Sequence, residues 1–224
     1  MEFSLNKQSI AQSFSKAAGG YDSAAQFQRD VGSRLLTYMP KDCGSVVVDL
    51  GCGTGFFQRQ LYEKYDHPIV GLDIAEGMLS FAKNHSFAGN NQWLAADAES
   101  LPFADASVDL IYSSMAVQWC QQLPLLFSEI KRVLKPQGKF VFSTLIDGSL
   151  AELKSAWESV DGYVHVNRFM PALDWQSTIG AVGLTIESST VHSHRLSYQK
   201  LGQLTGELKA IGAHNINEGR PKGL

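Results

Sequence analysis

The segment Asp49–Gly55, which reads Asp-Leu-Gly-Cys-Gly-Thr-Gly, contains the residues best suited to bind a ligand. Glycine has no Cβ, so such a segment can form a tight turn whose backbone N–H groups approach a ligand closely. Asp73 follows after roughly 20 residues, the distance along the chain at which a carboxylate can accept a ribose hydroxyl. Together these residues indicate a site for a nucleoside-containing cofactor. A tight turn without a ligand is the alternative.

The spacing of the glycines distinguishes between nucleotide cofactors. A dinucleotide-binding Gly-x-Gly-x-x-Gly segment would need a third glycine at position 56, where this chain has Phe56, and the third glycine here is Gly55. The chain also lacks the Gly-x-x-x-x-Gly-Lys-Ser/Thr segment of nucleotide triphosphatases. The pattern therefore favours neither a dinucleotide nor a nucleoside triphosphate.

The glycine segment and the segments after it resemble the class I S-adenosylmethionine-dependent methyltransferases. After Asp73, the chain has Ala96-Asp97-Ala98 behind a third predicted strand, and residues 101–109 lead into a fourth. The resemblance implies that the glycine loop holds the methionine part of S-adenosylmethionine, that Asp73 holds the ribose hydroxyls and that Asp97 contacts the adenine. The cofactor-binding residues that we expect are Tyr21, Asp49, Gly51, Gly53, Asp73, Met78, Asp97, Ala98 and Ser113.

Three further blocks, residues 14–28, 116–120 and 208–220, resemble a narrower family, the malonyl-acyl-carrier-protein O-methyltransferases of biotin biosynthesis. The first block also occurs, in degenerate form, in quinone C-methyltransferases. The resemblance implies methylation of the free carboxylate of a malonyl group carried by an acyl carrier protein, with S-adenosylmethionine as the methyl donor.

The chemistry that this resemblance implies needs few catalytic groups. A carboxylate, with a reference pKa near ~4.3, is already ionised at neutral pH and needs no general base. We expect Ser114 and Gln118 to lie where the methyl group and the attacking oxygen meet, and Tyr21 to cover the cofactor as an aromatic lid. The alternative for Tyr21 is a tyrosine packed in the core. For Trp119, core packing and a place in the pocket wall are equally good interpretations.

A malonyl carboxylate would suit a guanidinium group, because arginine can bind a carboxylate through two parallel hydrogen bonds. Arg168, Arg195 and Arg220 are the candidates outside the predicted sheet. Lys209, Arg220 and Lys222 also form a basic group that could contact an acidic carrier protein, although this composition is ordinary for a protein surface.

Two other functions stay open at this point. One is a C- or N-methyltransferase acting on a quinone-like or other small molecule. A C-methylation would need a base for substrate deprotonation, and His165, His192 and His194 are candidates. A module that binds the cofactor without catalysis is the other hypothesis.

Composition and charge exclude several classes of function. The net charge of −3 and the absence of an [ND]-P-P-[YFW] motif after strand four make a nucleic-acid substrate unexpected. The three cysteines are widely spaced, and His192 and His194 have no third ligand nearby, so we expect neither disulfides nor a metal. No segment approaches the ~18 apolar residues of a membrane span, and the first residues lack the plan of a signal peptide, so we expect a cytoplasmic protein without membrane contact.

The order of predicted elements explains how these residues could meet. Two helical patterns open the chain, and from Ser45 short apolar strands alternate with helices, which predicts a doubly wound, mostly parallel α/β sheet of the Rossmann-like methyltransferase class. We predict one domain, residues 1–224, with an N-terminal helical lid at 1–40, a cofactor-binding core at 45–145 and a substrate-side segment at 146–224. The predicted strands are 45–49, 69–73, 92–95, 108–113 and 139–145, and the helices between them are 57–65, 76–84 and 125–134, the last closed by residues 135–138.

The later part of the chain is less regular. We predict helices at 150–159, 172–181 and 198–211, a loop at 161–171, and a sixth strand at Leu184–His194. Folds of this class end with an antiparallel strand between strands five and six, and residues 214–224 contain no strand-like run. Without that strand we expect exposed edge groups and reduced stability or aggregation.

Overall fold

The computed structural model describes residues 6–85, 91–161 and 163–213 of the chain. Five strands form one sheet, and helices precede, separate and follow them. The strands are β1 (Val47–Leu50), β2 (Ile69–Asp73), β3 (Gln92–Ala95), β4 (Val108–Ser114) and β5 (Leu134–Ser143). The helices are α1 (Lys7–Ala24), α2 (Gln26–Leu36), α3 (Phe56–Tyr65), α4 (Glu76–His85), α5 (Leu123–Val133), α6 (Ala151–Glu158), α7 (Ala172–Ala181) and α8 (Leu201–Ala210). Val117–Trp119 form a short 3-10 turn.

All the strand pairs of this sheet are parallel, and the strand order is β3-β2-β1-β4-β5. The chain moves outward from β1 to β3 on one side and then returns to place β4 on the other side of β1. In such doubly wound sheets, ligands bind beyond the carboxyl ends of the strands at the place where the order reverses. The predicted Rossmann-like α/β fold is confirmed, and the reversal lies between β1 and β4.

The two faces of the sheet bury separate apolar clusters because successive strand residues point to opposite faces. Val47 packs with Leu35 of α2 and Leu61 of α3. Its neighbour Val48 belongs to the cluster on the other face, which includes residues of α5 and α7. In α5 the buried residues recur every three or four positions along one face: Leu123, Leu126, Phe127, Ile130 and Val133. The helices on both faces thus hold the strand ends in place.

The segment Lys135–Gly138 differs from its predicted role as a helix-terminating turn. Helix α5 does end at Val133, but the four residues belong to the first half of β5. There the pairing with β4 shifts, since Val108 pairs with Leu134 while Leu110 pairs with Lys139. Gln137 has a φ of 71°, so proline and glycine are accommodated in a bulge of the edge strand.

The predicted sixth strand, Leu184–His194, is wrong. This segment pairs with no strand among the described residues, and residues 185–197 are all exposed. Its β-branched residues favour an extended backbone, but a strand forms only where a neighbour accepts and donates the hydrogen bonds of the ladder. The expectation about a final strand within residues 214–224 lies outside the described residues. None of the described helices is long and apolar enough to cross a membrane.

Candidate active site

A cleft lies at the carboxyl ends of β1, β2 and β4, beneath helix α1. Its free volume is about 110 Å³, because side chains of α1 close over it. Its walls combine the glycine loop, the ends of three strands, the 3-10 turn and one face of α1. The lining residues are Lys7, Ile10, Phe14, Tyr21, Leu50, Gly51, Gly53, Leu72, Asp73, Ile74, Met78, Ala96, Asp97, Ala98, Ser114, Met115, Ala116, Val117, Trp119 and Cys120.

The glycine loop forms one wall of the cleft with its backbone. Gly51 and Gly53 have φ angles of 73° and 54°, in the left-handed region where glycine carries no steric penalty. Gly53 lines the cleft, and a Cβ added to it would meet no atom within 4 Å. The space beside this residue is therefore open. A Cβ on Gly51 would lie 2.2 Å from the Cβ of Ala116, so the backbone comes very close to the other wall. The loop therefore fits a ligand that packs directly on its backbone.

Asp73 joins the glycine loop to the end of β2. Its two carboxylate oxygens accept hydrogen bonds from the N–H groups of Gly53 and Ala75, each at 2.8 Å. Burial raises the pKa of Asp73, while backbone N–H donors oppose this rise. Because the carboxylate also lines the cleft, the arrangement fits the binding of a vicinal diol such as that of ribose.

Asp49 lies at the base of the site and is not among the cleft-lining residues. Its carboxyl group is buried within β1, and its Oδ2 atom has no hydrogen-bond partner. Burial, and then the charge of Asp73, raise the pKa of Asp49 to about 8. The group therefore keeps its proton at neutral pH in this structure.

The opposite end of the cleft contains Asp97 and Ala98, as expected, together with a residue that the sequence did not indicate. The Oδ1 atom of Asp97 accepts the N–H of Glu99 at 2.9 Å. The ammonium group of Lys7, at the start of α1, contacts both Asp97 and Glu99. Lys7 precedes these carboxylates by about 90 residues, so no local spacing could have identified it.

Helix α1 covers the cleft with one face. Phe14 packs edge-on against Trp119, with ring centroids 5.3 Å apart. Tyr21 also lines the cleft, and burial together with the charges of Asp73 and Asp22 raises the pKa of its phenol. Thr54 of the glycine loop donates a hydrogen bond to Asp22 at 2.7 Å, which ties the end of α1 to the loop. Tyr21 thus faces the cleft with a protonated hydroxyl group.

The residues expected around the methyl group are only partly together. Ser114 lines the cleft, and its hydroxyl lies 3.2 Å from that of Ser143 at the end of β5. Gln118 donates to the carbonyl of Met115 at 2.7 Å and is not among the lining residues. Ser113 is buried and donates to the carbonyl of Leu50 at 2.7 Å, so its hydroxyl bridges β4 and β1. Met78 is buried and lines the cleft.

Two of the candidate substrate-binding arginines lie outside the cleft, and the third is not among the described residues. Arg168 and Arg195 are exposed, and neither lines the cleft. Arg220 lies outside the described residues, as does Lys222. No three histidine, cysteine, aspartate or glutamate side chains in the described ranges form a group that could hold a metal ion.

None of the histidines in the described part of the chain lines the cleft. His165 has a nearly buried side chain that contacts Asp161 at 2.7 Å and stacks on Trp157 with ring centroids 3.9 Å apart. His192 and His194 are exposed. The three histidines considered as bases for a C-methylation therefore lie outside the cleft walls.

The comparisons with known proteins identify the family of this chain. A family described as methyltransferase domain matches residues 48–142, from β1 to β5. The malonyl-[acyl-carrier protein] O-methyltransferase of Serratia marcescens is 42% identical over 98% of this chain and 84% of its own length. The chain belongs to the malonyl-[acyl-carrier protein] O-methyltransferase family. A biotin biosynthesis bifunctional protein from Cellvibrio japonicus is 47% identical, and this family member spans 44% of that longer protein.

Solved structures agree on the fold of this family member. An S-adenosylmethionine-dependent methyltransferase from Mesorhizobium loti is 28% identical, with a TM-score of 0.59 over 70% of this chain and 81% of its own. The protein solved in complex with the Haloferax volcanii Trm112 methyltransferase activator has a TM-score of 0.65 at 24% identity, over 80% of this chain and 77% of its own. Both share the fold of this domain.

Proposed function

We propose that the protein methylates the free carboxylate of a malonyl thioester on an acyl carrier protein, with S-adenosylmethionine as the donor, in biotin biosynthesis. The substrate in this proposal is suggested by the name of the relative at 42% identity, and the cleft is the observation that supports the cofactor. The cleft is lined in order by the glycine loop, with open space at Gly53, by Asp73 at the end of β2 and by Asp97 after β3. That order fits the methionine, ribose and adenine parts of the cofactor.

The chain's own residues would hold the cofactor without a metal. The backbone of Gly51 and Gly53 would contact the methionine part of the cofactor. Asp73 would accept hydrogen bonds from the ribose hydroxyls. Asp97 would accept a hydrogen bond from the amino group of adenine, and Ala98 would border the adenine ring. When bound, the cofactor supplies a methyl group on a positively charged sulfur. Met78 adds an apolar contact beneath this site.

The reaction is a displacement in which the protein aligns two reactants rather than activates one. The malonyl carboxylate is ionised at neutral pH, so no proton has to be removed before attack. Orientation alone can contribute about 7–11 kcal/mol to such a step. Tyr21 and Ser114 line the cleft where its two walls meet, and we assign them to the positioning of the reacting groups. Gln118 would hold the 3-10 turn in place through the carbonyl of Met115.

The recognition of the malonyl group itself is a separate part of the proposal. Arg168, Arg195 and Arg220 remain the candidates. Arg168 and Arg195 do not line the cleft, and Arg220 lies outside the described residues. Substitution of each arginine by alanine, assayed with the malonyl substrate, would identify it by a raised KM.

The proposal is tested by transfer of a labelled methyl group from S-adenosylmethionine to malonyl-acyl carrier protein. Acetyl- and succinyl-acyl carrier protein are run in parallel, because the first lacks a free carboxylate and the second has a longer acyl group. We expect label on the malonyl form alone. Equal label on the acetyl form would contradict carboxylate methylation. Cofactor binding by calorimetry with no label on any form would indicate another substrate or a non-catalytic module.

A further inference from the structure

The contacts of Lys7 form a polar cluster at the adenine end of the cleft. The ammonium group contacts Oδ2 of Asp97 and Oε2 of Glu99. The other oxygen of Glu99 accepts the backbone N–H groups of Gln121 and Gln122, at 2.5 and 2.8 Å. Glu99 therefore joins the start of α1 to the segment that follows the 3-10 turn.

The charges in this cluster depend on Lys7. The side chain of Glu99 is only 4% exposed, and a nearly buried carboxylate without a cation is costly. Burial lowers the pKa of Lys7, but hydrogen bonds and charges of Asp97 and Glu99 outweigh this effect and raise it overall, so the ammonium group stays charged. Lys7 is thus the cation that compensates two carboxylates at the edge of the cleft.

The position of Lys7 on α1 distinguishes it from the other polar contacts of that helix. Lys7 is the first residue of α1, whereas the remaining contacts lie further along. Ser13 donates to the carbonyl of Gly212 at 2.8 Å, Ser15 accepts from the N–H of Gly77 at 3.0 Å, and Asp22 accepts from Thr54. Loss of Lys7 would therefore free the beginning of the helix and leave its middle and end attached.

The closeness of α1 to the cleft makes this attachment important. Lys7, Ile10 and Phe14 of this helix all line the cleft. Release of a nucleoside bound there would require the start of α1 to move away from the strand ends. The beginning of α1 lies over Asp97 and Ala98, the end at which the adenine would lie.

We propose that Lys7 is a positioning residue for the cofactor: through Asp97 and Glu99 it fastens the start of α1 over the adenine and slows release of the nucleoside. This inference rests on the proposed function for the identity of the ligand. Lys7 acts through the carboxylates and the helix, so it contributes to cofactor affinity and not to the displacement step.

The experiment compares the wild-type protein with Lys7→Met, Lys7→Arg and Lys16→Met. Methionine keeps an unbranched apolar stem and removes the charge, while arginine restores a cation that can reach both carboxylates. Lys16 is an exposed lysine of the same helix and serves as the matched control. Hydrogen exchange of residues 7–24 is measured without ligand, and binding of S-adenosylmethionine is measured by calorimetry.

We expect Lys7→Met to speed exchange in the first turns of α1 and to raise the Kd for S-adenosylmethionine by about tenfold or more, which corresponds to about 1.4 kcal/mol. The value of kcat at saturating cofactor should stay near that of the wild type. Lys7→Arg should recover most of the affinity, and Lys16→Met should match the wild type in every measurement. Wild-type exchange and affinity in Lys7→Met would overturn the proposal, and so would a lowered kcat with unchanged affinity.

Two further arms keep the result decisive. If Lys7→Met does not fold, Glu99→Gln weakens the same attachment from the other side and should loosen the same turns of α1; unchanged exchange there would overturn the proposal. If the wild-type protein binds no S-adenosylmethionine, the proposed function fails. The exchange data without ligand then still decide whether Lys7 fastens the helix.

Discussion

Two neighbouring carboxyl groups at the strand ends have opposite surroundings. The carboxylate of Asp73 accepts two backbone N–H groups and lines the cleft, whereas Asp49 is buried and its Oδ2 atom has no partner. The same residue type therefore provides a ligand-facing charge at one strand end and a protonated acid at the next. Each of these environments leads to a measurable consequence.

Asp73→Asn should weaken cofactor binding. The amide of asparagine replaces one acceptor oxygen by an NH₂ donor, which would face the N–H donor of Gly53 or Ala75. The substitution also removes the negative charge that would strengthen hydrogen bonds from the ribose hydroxyls. Hydrogen bonds to charged groups contribute about 1.5–3 kcal/mol, so we expect Kd to rise by about 10- to 100-fold in calorimetry. Asp105→Asn, at a side chain that is 79% exposed, is the control and should bind as the wild type does. Equal affinity in both variants would contradict this role of Asp73.

Asp49→Asn should change how stability depends on pH. Burial and the charge of Asp73 raise the pKa of Asp49 from 3.8 to about 8, so between these values the folded state holds a proton that the unfolded state has lost. The free energy of unfolding therefore falls as the pH rises through this window. The asparagine variant has no proton to lose at this position. As the pH rises from 5 to 8, its Tm should therefore rise relative to that of the wild type. Parallel melting curves across that range would contradict the assignment.

At the scale of elements, a close contact between α1 and α4 helps to fix the position of α1 over the sheet. The N–H of Gly77, in the first turn of α4, donates to the hydroxyl of Ser15 on α1. A Cβ at position 77 would lie 2.6 Å from the Cβ of Ser15 and 2.7 Å from its Cα. Only glycine lets the two helices come this close.

Gly77→Ala should therefore separate α1 from α4. Because backbone must move to relieve the clash, we expect a loss of about 1–3 kcal/mol in the free energy of unfolding in urea. Gly20→Ala, in α1, is the control: a Cβ there would meet no atom within 4 Å, and alanine should stabilise the helix by about 0.5–1 kcal/mol. If the two variants shift stability in the same direction, the close packing of α1 on α4 is not what Gly77 provides.

The elements show which parts of the structure the sequence could predict. β2 and β3 have the predicted bounds, because each is a short apolar run between polar segments. The Leu184–His194 prediction failed because composition favours an extended backbone but cannot show whether a pairing partner exists. Lys7 was missed because its partners are distant in sequence. Asp73, Asp97 and the glycines were found because family motifs retain local spacing.

At the scale of the whole molecule, the cleft is formed by elements that are far apart along the chain. Helix α1, the ends of β1, β2 and β4, and the 3-10 turn all contribute to its walls. A ligand there connects the N-terminal helix to the centre of the fold. Its binding should thus stabilise the domain and not only a loop.

S-adenosylmethionine at about 100 times its Kd should raise the free energy of unfolding by about 2.7 kcal/mol. For a domain of this size, that corresponds to a rise in Tm of roughly 5–10 °C in a thermal melt. NAD⁺ at the same concentration is the control, since Phe56 occupies the place of the third dinucleotide-binding glycine. An equal shift with NAD⁺ would contradict the cofactor assignment.

The cysteines around the cleft have a consequence for the durability of such an enzyme. A sulfonium methyl donor is an electrophile, and a thiolate beside it would become methylated in place of the substrate. Burial, and then the charges of Glu99 and Asp97, raise the pKa of Cys120 to about 12, and burial raises that of Cys52 in the glycine loop as well. With a pKa near 12, only roughly one Cys120 side chain in 100,000 is a thiolate at pH 7, and the thiolate is the reactive form. Burial, reinforced at Cys120 by Glu99 and Asp97, thus also protects the protein from methylating itself.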